Sequence, residues 1–413
     1  MPARLHFNRA TWTLFDQGLV SLGAFLVNIK LARTLPAAEF GTYALLLGGF
    51  LGLQVISSSL LLYPMSIRLP LLQGESRARL HATTVALILS LCVPLGLFLA
   101  AALVLLGRAD LALPAIAVML AWQLQESMRR GLLAEFRHQE AIYGDAISYL
   151  GQIAALASLI VFDRLTLPAA LYCIAAAFAA GSLVQALQLR LNVRRASGLA
   201  ETAREFWSIG SWSLASNIIS LLRIQMIPWA LAVSGGPAAA ASFQAVLNVV
   251  NLTNPIILGL CNVIPQTVAR AREESGNVAA WEAARVYMLI GVVPALGYYA
   301  LVALWPSLPL SVFYGSQSPY AALTAPVQII VLAWSTGYFI DIICSYLHGM
   351  NRARSSLIVN VIGALTVLVL AAPLIEFYGL IGACLTLVIA NLFRLTAAVY
   401  MQKRTTSNDY VAV

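Results

Sequence analysis

The sequence predicts an all-α protein that crosses a membrane twelve times, with its helices arranged as two parallel lobes of six. Three observations predict this fold: long apolar runs along the whole chain, basic residues concentrated in alternate connections, and a repeat that relates the two halves. The chain has 413 residues, of which 60% are hydrophobic and 10% are charged. Soluble domains carry about 25% charged residues, so the composition excludes one large soluble globule.

The apolar runs have the length of membrane-spanning helices. A transmembrane helix needs about 20 mostly apolar residues. The first run contains Asp16 and Gln17 and is longer than the apolar part of a signal peptide, so we expect it to be a retained span. The twelve predicted spans are residues 10–34, 41–66, 82–107, 110–133, 141–162, 166–190, 206–234, 238–265, 281–306, 321–348, 355–375 and 378–402.

Basic residues set the expected orientation. Only Arg33, Arg108 and Arg164 lie in one set of connections, and three further basic residues lie within spans. The other nineteen of the 25 lie in the opposite set of connections. Connections rich in Lys and Arg face the cytoplasm, so both termini are expected there. The net charge of +8 is thereby explained without a nucleic-acid partner.

The two halves repeat each other at a nearly constant offset. "TWTLFDQG" at residues 11–18 returns as "SWSLASNI" at residues 211–218. The further matches are Val93-Pro94 with Val293-Pro294, Pro64 with Pro265, Leu120-Ala121-Trp122 with Leu332-Ala333-Trp334, Gly151 with Gly363, and Cys173 with Cys384. Six spans per repeat bring both halves into the membrane from the same side, as parallel repeats. We predict lobes at residues 1–193 and 206–413, joined by a cytoplasmic linker at 194–205.

Cysteines and histidines show no pattern for disulfides or a metal site. The cysteines lie singly inside apolar runs, as small packing residues do, and the histidines are scattered near span ends. We therefore expect no metal and no cofactor, and consider a proton or sodium gradient as the energy source. The residues are Cys92, Cys173, Cys261, Cys344, Cys384, His6, His81, His138 and His348.

Two stretches resemble a known family. "LARTLPAAEFGTYALL" at residues 31–46 and "VFYGSQSPYAALTAP" at residues 312–326 resemble signatures of polysaccharide transporters in the MOP exporter superfamily, the O-antigen and capsule flippases. Glu39 is expected to favour the N-terminus of span two, and Gly41 to relax the backbone there. The residues that fit the first signature are Leu31, Ala32, Arg33, Leu35, Glu39, Phe40, Gly41 and Tyr43.

The resemblance implies a MATE-like, two-lobed fold and a function without covalent catalysis. It implies a flippase that moves undecaprenyl-pyrophosphate-linked oligosaccharide repeat units from the inner to the outer leaflet by alternating access. The product would be O-antigen, lipopolysaccharide or exopolysaccharide, and the location a bacterial cytoplasmic (inner) membrane. The implied partners are the lipid-linked oligosaccharide, the bilayer, a polysaccharide polymerase and a chain-length regulator.

Basic residues within spans are the first candidates for substrate binding, since intramembrane charges mark function. Arg223 lies about 11 residues, or roughly 16 Å, from the outer end of its span, and a guanidinium can grip phosphate oxygens in a bidentate way. Lys30 lies near the outer end of span one, where it either snorkels or receives the pyrophosphate. Arg394 is expected either to bind the anion or to pair with Asp341.

Polar and acidic residues within spans supply the remaining candidates. Amides suited to a sugar-compatible cavity are Gln17, Asn28, Asn217, Gln225 and Asn248, although such residues also join helices. The candidates for ion coupling are Asp16, Asp341 and Glu126, since a carboxyl in a low dielectric can exchange a proton. For Asp16, a salt bridge or a water-exposed vestibule is the alternative.

Two other function classes compete with the flippase. A MATE-like multidrug or cation antiporter would share the fold, but a central arginine suits an anionic substrate better than a cationic drug. A membrane-bound polysaccharide polymerase or ligase would be expected to carry a large outer loop with catalytic Arg or His. The longest outer connection here, residues 307–320, contains no charged residue.

Overall fold

The structure, a computed structural model, describes the backbone of residues 2–407 and the side chains of Trp12 and of Phe15 onward. The described residues form helices throughout and no β-strand. The helices of the first half are α1 (Pro2–Thr34), α2 (Ala37–Ser57), α3 (Tyr63–Arg68), α4 (Gly74–Leu105), α5 (Ala112–Ala134), α6 (His138–Val161) and α7 (Leu167–Gln188). Those of the second half are α8 (Leu199–Gly235), α9 (Pro237–Val250), α10 (Asn254–Leu304), α11 (Ser307–Tyr314), α12 (Thr324–Gly349) and α13 (Ala353–Ser407).

Helix lengths agree with the predicted membrane spans. Eight continuous helical stretches of the described chain are long and apolar enough to cross a membrane. Two of them, 237–304 and 353–407, each cover two predicted spans and break at Gly276 (φ 82°) and Gly379 (φ 55°). Glycine adopts positive φ at little cost, so these residues separate neighbouring spans. Helices α1 and α5, which contain charged and amide side chains, lie at the two remaining predicted spans.

Two of the spans are interrupted by irregular turns. The second span passes from α2 to α3 through a π-helical turn, Ser58–Leu62. The eighth passes from α9 to α10 through a 3₁₀ turn, Asn251–Thr253, with Pro255 just after it. Such wide or tight turns inside helices often accompany functional sites. Neither turn was predicted from the sequence.

The chain divides into two compact helical units. Unit 1 comprises the residues up to Leu35 together with Leu46–Ile218, and unit 2 comprises Pro36–Leu45 together with the residues from Ile219 onward. The division falls inside α2 and α8, and the predicted lobe boundaries at residues 194–205 stay a prediction. The cysteines are free, and Cys92, Cys344 and Cys384 are buried.

Gly41 has a different role from the one expected. It lies within α2 and has no positive φ, so the expectation that it relaxes the backbone is wrong. A Cβ added at Gly41 would collide with the backbone carbonyl of Pro237, the first residue of α9. The glycine is therefore required because two backbones approach closely within unit 2. Glu39 lies in the first turn of α2, where it was expected.

Candidate functional site

Arg129 of α5 is the centre of a buried polar cluster in unit 1. Its Nη2 donates to Asp16 Oδ2 of α1 at 2.6 Å, and its Nε donates to Asp145 Oδ2 of α6 at 2.7 Å. The side chains of Asp16 and Asp145 are 1% and 0% exposed. Burying two carboxylates is costly unless a cation and hydrogen bonds compensate them. Arg129 thus ties three helices together through one guanidinium.

The two aspartates accept different numbers of hydrogen bonds from the protein. Asp145 Oδ1 accepts hydrogen bonds from Gln125 Nε2 at 2.5 Å and from Gln185 Nε2 at 3.0 Å, in addition to the arginine on Oδ2. Asp16 Oδ1 is buried and has no hydrogen-bond partner among the described residues. Asp145 therefore has donors on both of its carboxylate oxygens, whereas Asp16, within the described chain, has a donor only on Oδ2.

Glu126 completes the cluster of unit 1. It accepts from Arg130 Nε at 2.6 Å and lies 3.5 Å from Arg129 Nη1. Three carboxyl groups thus face two guanidiniums, a formal excess of one negative charge. The structure places Asp16 in the salt bridge that was its alternative. The ion-coupling roles of Asp16 and Glu126 stay predictions.

Sequence reasoning missed the importance of Arg129. We counted it with the basic residues of the cytoplasmic connections, although it lies inside the span predicted at residues 110–133. The signal that could have identified it is the presence of two acids, Asp16 and Asp145, at similar depth in two other spans. Buried carboxylates need a cation, and Arg129 lies near the corresponding end of its own helix.

Two arginines lie side by side in unit 2. Arg223 of α8 and Arg394 of α13 both pack against Gly363, since a Cβ added there would meet the Cδ atoms of both side chains. The Nε atoms of both arginines are buried and have no partner among the described residues. Gly363 therefore creates the space in which two cationic side chains converge within membrane-spanning helices.

Amides, rather than acids, position Arg394. Its Nη1 donates to Asn391 Oδ1 at 2.8 Å, and its Nη2 donates to Asn360 Oδ1 at 3.0 Å. Asp341 Oδ1 of α12 lies 4.0 Å from Nη2, and the Asp341 side chain is 49% exposed. The predicted pairing of Arg394 with Asp341 is thus present but loose. Two guanidiniums and one carboxylate leave a net positive charge.

The two clusters carry opposite charge at matching positions of the repeat. The offset of 212 residues that relates Leu120-Ala121-Trp122 to Leu332-Ala333-Trp334 also relates Arg129 to Asp341. In unit 1 this position of the repeat is a cation, Arg129 of α5, and acidic residues surround it. In unit 2 the same position is an acid, Asp341 of α12, and arginines surround it. The duplicated scaffold therefore supports a negatively charged cluster in one half and a positively charged cluster in the other.

The other predicted site residues lie away from these two clusters or bond locally. Lys30 is exposed on α1, Asn28 Nδ2 donates to Ala24 O of its own helix at 3.0 Å, and Gln225 is half-buried on α8. Gln17 lies one residue after Asp16 and is 3.5 Å from Ser21. Asn217 Nδ2 donates to Ser59 Oγ in the π-helical turn at 2.9 Å, and Asn248 Oδ1 accepts from Gln244 at 2.9 Å. Their roles in sugar binding stay predictions.

The two signature stretches meet in unit 2. The ring of Phe40 lies edge-on to that of Tyr320, with centroids 6.0 Å apart, and Tyr320 packs in the same way on Tyr314 at 5.2 Å. Tyr314 also donates its hydroxyl to Ala245 O of α9 at 2.9 Å. The residues that carry the family resemblance are thus in contact although Phe40 and Tyr320 are 280 residues apart in the sequence.

Almost the whole chain matches solved transporter structures. The inward-facing conformation of a multidrug resistance MATE family transporter of the MOP superfamily gives a TM-score of 0.80 at 16% sequence identity, and the match covers 95% of this chain and 96% of that chain. This chain has the fold of MOP superfamily transporters. The prediction of an all-α, two-lobed membrane protein of this type is confirmed.

Other MOP superfamily structures match over the same length. The outward-facing conformation of a multidrug resistance MATE family transporter gives a TM-score of 0.66, and a MOP superfamily transporter from Pyrococcus furiosus gives 0.68. Both are 16% identical to this chain, and each match covers 98% of this chain and 96% of the other. The Pyrococcus furiosus structure is described as having a binding pocket of reverse polarity that suggests a different function. No family model and no curated protein matches this chain.

Proposed function

We propose that the protein is a transporter that moves undecaprenyl-pyrophosphate-linked oligosaccharides from the inner to the outer leaflet by alternating access. The observation that carries this proposal is the converging pair Arg223 and Arg394, which leaves an uncompensated positive charge inside membrane-spanning helices. Such a charge is expensive in a membrane, and an anionic ligand would compensate it. The MOP fold and the contact between the two flippase-like stretches also support the proposal.

The flippase reaction makes and breaks no covalent bond. Its barrier is the cost of drawing a charged diphosphate and a hydrophilic glycan through hydrocarbon. Guanidinium groups lower that cost because each can donate two parallel hydrogen bonds to phosphate oxygens. Arg223, which has no carboxylate of its own within ion-pair distance in the described chain, is the primary binding group. Arg394, fixed by Asn391 and Asn360, adds the second positive charge.

A MATE-like antiporter of cationic drugs is the second candidate function. The observation that favours it is the excess negative charge around Asp16, Asp145 and Glu126 in unit 1. Against it, Arg129 already occupies the centre of that cluster with bonds of 2.6 and 2.7 Å. A cationic drug would have to displace a guanidinium from two buried carboxylates.

Purified protein in liposomes distinguishes the two functions. A fluorescent undecaprenyl-diphosphate oligosaccharide is placed in one leaflet, and its arrival in the other is followed with a membrane-impermeant glycosidase. Ethidium loaded into matched vesicles reports drug export. We expect protein-dependent transfer of the lipid and no ethidium movement. Ethidium export driven by an ion gradient, without lipid transfer, would reject the flippase proposal in favour of the antiporter.

We further propose that Asp16 couples transport to an ion gradient through Oδ1, the buried carboxylate oxygen that has no hydrogen-bond partner among the described residues. Asp16→Asn keeps the size and an acceptor for Arg129 but cannot bind a proton. We therefore expect lipid transfer by this variant to lose its acceleration by an imposed proton or sodium gradient while transfer without a gradient persists. Asp163→Asn, in the connection between α6 and α7, is the matched control and should keep the acceleration. Gradient dependence that is the same in Asp16→Asn and wild type would exclude the role.

A further inference from the structure

Arg394 and Arg129 are both arginines of membrane-spanning helices, but they have different kinds of partner. Arg129 makes two ion pairs, of 2.6 Å with Asp16 and 2.7 Å with Asp145. The side chain of Arg394 is 4% exposed, and its one ion contact among the described residues is with Asp341 at 4.0 Å. A charge inside a membrane is costly unless an opposite charge compensates it. The surroundings of Arg394 therefore leave it less well neutralised than Arg129.

Asparagines hold Arg394 in place instead. Its stem packs against Gly363 of α13, and its Nη2 donates to Oδ1 of Asn360, one turn earlier on the same helix, at 3.0 Å. Its Nη1 donates to Asn391 Oδ1 at 2.8 Å, and Asn391 is itself fixed by donating to Ala333 O at 2.6 Å. The side chain is thus held at its stem and at its tip by uncharged groups.

An amide oxygen fixes a guanidinium without cancelling its charge. The hydrogen bond stabilises the arginine, but the pair keeps one positive charge, whereas a carboxylate in the same place would reduce it to zero. The two bonds use two of the five N–H groups of the guanidinium. The Nε atoms of Arg394 and of its neighbour Arg223 have no partner among the described residues. Charge and donors therefore stay available to an anion.

We propose that Asn360 is a positioning residue that keeps the arginine pair receptive to the phosphate groups of the substrate, because it is an amide and not an acid. This inference rests on the proposed function, since it takes Arg223 and Arg394 as the site for the anionic group. Asn360 acts through Arg394 and does not itself bind the phosphate. An acid of the same shape would give Arg394 an internal anion at hydrogen-bond distance, and the substrate would meet a site whose charge is already compensated.

Two substitutions separate the charge of this residue from its shape. Asn360→Asp keeps the size of the side chain and an acceptor for Arg394 Nη2, but it adds a negative charge. Asn360→Leu removes the acceptor and adds no charge, while Asn391 continues to hold Arg394. We expect the aspartate variant to bind an anion more weakly than the leucine variant. A residue that only holds the arginine in place would give the opposite order, because aspartate keeps the bond and leucine does not.

Isothermal titration calorimetry of the purified full-length protein in detergent, with P1,P2-dimethyl diphosphate as the probe, measures this order. We expect Asn360→Asp to weaken binding roughly tenfold, equivalent to about 1.4 kcal/mol, and Asn360→Leu only about threefold. The melting temperature of Asn360→Asp should equal or exceed that of wild type, because the new carboxylate reduces the repulsion between the two arginines. Weaker binding without lower stability is a combination that a structural defect does not produce.

Two further variants serve as controls. Asn351 is exposed in the connection between α12 and α13 and has a φ of 57°, which aspartate also tolerates. Asn351→Asp therefore adds the same charge to unit 2 at a distance from the arginines in the sequence, and it should bind the probe like wild type. Asn360→Gln keeps an uncharged acceptor and should retain most of the affinity.

The outcomes separate this inference from the function on which it rests. Binding by Asn360→Asp that is as strong as in wild type, or stronger than in Asn360→Leu, would overturn the positioning role. It would equally be overturned by a clearly lower melting temperature of Asn360→Asp, by the same weakening in Asn351→Asp, or by failure of wild type to bind the probe. Whether wild type transfers the lipid-linked oligosaccharide in liposomes decides the proposed function separately, because the order of affinities does not depend on transfer.

Discussion

Replacing Arg129 with methionine is expected to destabilise the protein by about 3–5 kcal/mol, the cost of leaving buried charges without their partner. The substitution removes the cation between Asp16 and Asp145, which are both almost completely buried. Methionine fills a similar volume, so the loss reflects charge rather than a cavity. Thermal unfolding of the detergent-purified protein, followed by the reactivity of its buried cysteines, measures the effect.

The neighbouring arginine provides the control for this prediction. Among the described residues Arg130 pairs with Glu126, and it is 35% exposed, so Arg130→Met should lose well under half as much stability. Adding Asp16→Asn and Asp145→Asn to Arg129→Met removes the unpaired charges and should restore much of the loss, as coupled residues do. Equal melting temperatures for Arg129→Met and Arg130→Met would show that the buried cluster does not hold unit 1 together.

Replacing Arg223 with alanine is expected to reduce lipid transfer roughly 100-fold, because charge-assisted hydrogen bonds to phosphate contribute about 1.5–3 kcal/mol each. Arg223→Ala should also differ from Arg129→Met in its stability, because it should not lower the melting temperature. Arg223 and Arg394 repel each other across Gly363, so removal of Arg223 should leave the melting temperature unchanged or slightly higher. Lysine keeps the charge without the bidentate geometry, and Arg223→Lys should therefore retain only part of the transport.

The liposome assay, performed at equal protein content in the membrane, checks this prediction. Arg285, an exposed residue of α10 paired with Glu282, supplies the control, and Arg285→Ala should transport at the wild-type rate. Full transport by Arg223→Ala would show that the substrate does not use this arginine. A melting temperature lowered as far as in Arg129→Met would show that Arg223 is structural.

The sequence contains enough information for the spans but not for the partners of charged residues. Span positions follow from the length and polarity of local segments, which the membrane constrains strongly. The pairing of Arg129 depends on how α1, α5 and α6 are rotated against one another, and no local pattern encodes that rotation. Basic residues near span ends also determine how a protein is oriented in the membrane. Arg129 was counted among these residues, and its role as an ion-pair partner was therefore missed.

Candidate residues with a single charge in the middle of a span were easier to find. Arg223 and Arg394 stood out because the membrane has no water to solvate them, and the structure brings the two together. Their shared contact with Gly363 was not predictable, since a glycine inside an apolar span looks like any other small residue. Gly41 was misjudged for a similar reason: its neighbour, Pro237, is almost 200 residues away in the sequence.

Gly363 also separates what the two halves of the chain share from what distinguishes them. Its counterpart in the first half is Gly151, so a glycine at this place is inherited from the ancestor that was duplicated. The arginines are not shared: Gly23 corresponds to Arg223 and Leu183 to Arg394. In unit 1 a Cβ at Gly151 would meet only Ala177, at 3.5 Å. Both halves thus have a gap between helices at this place, and only in the second half do cationic side chains occupy it.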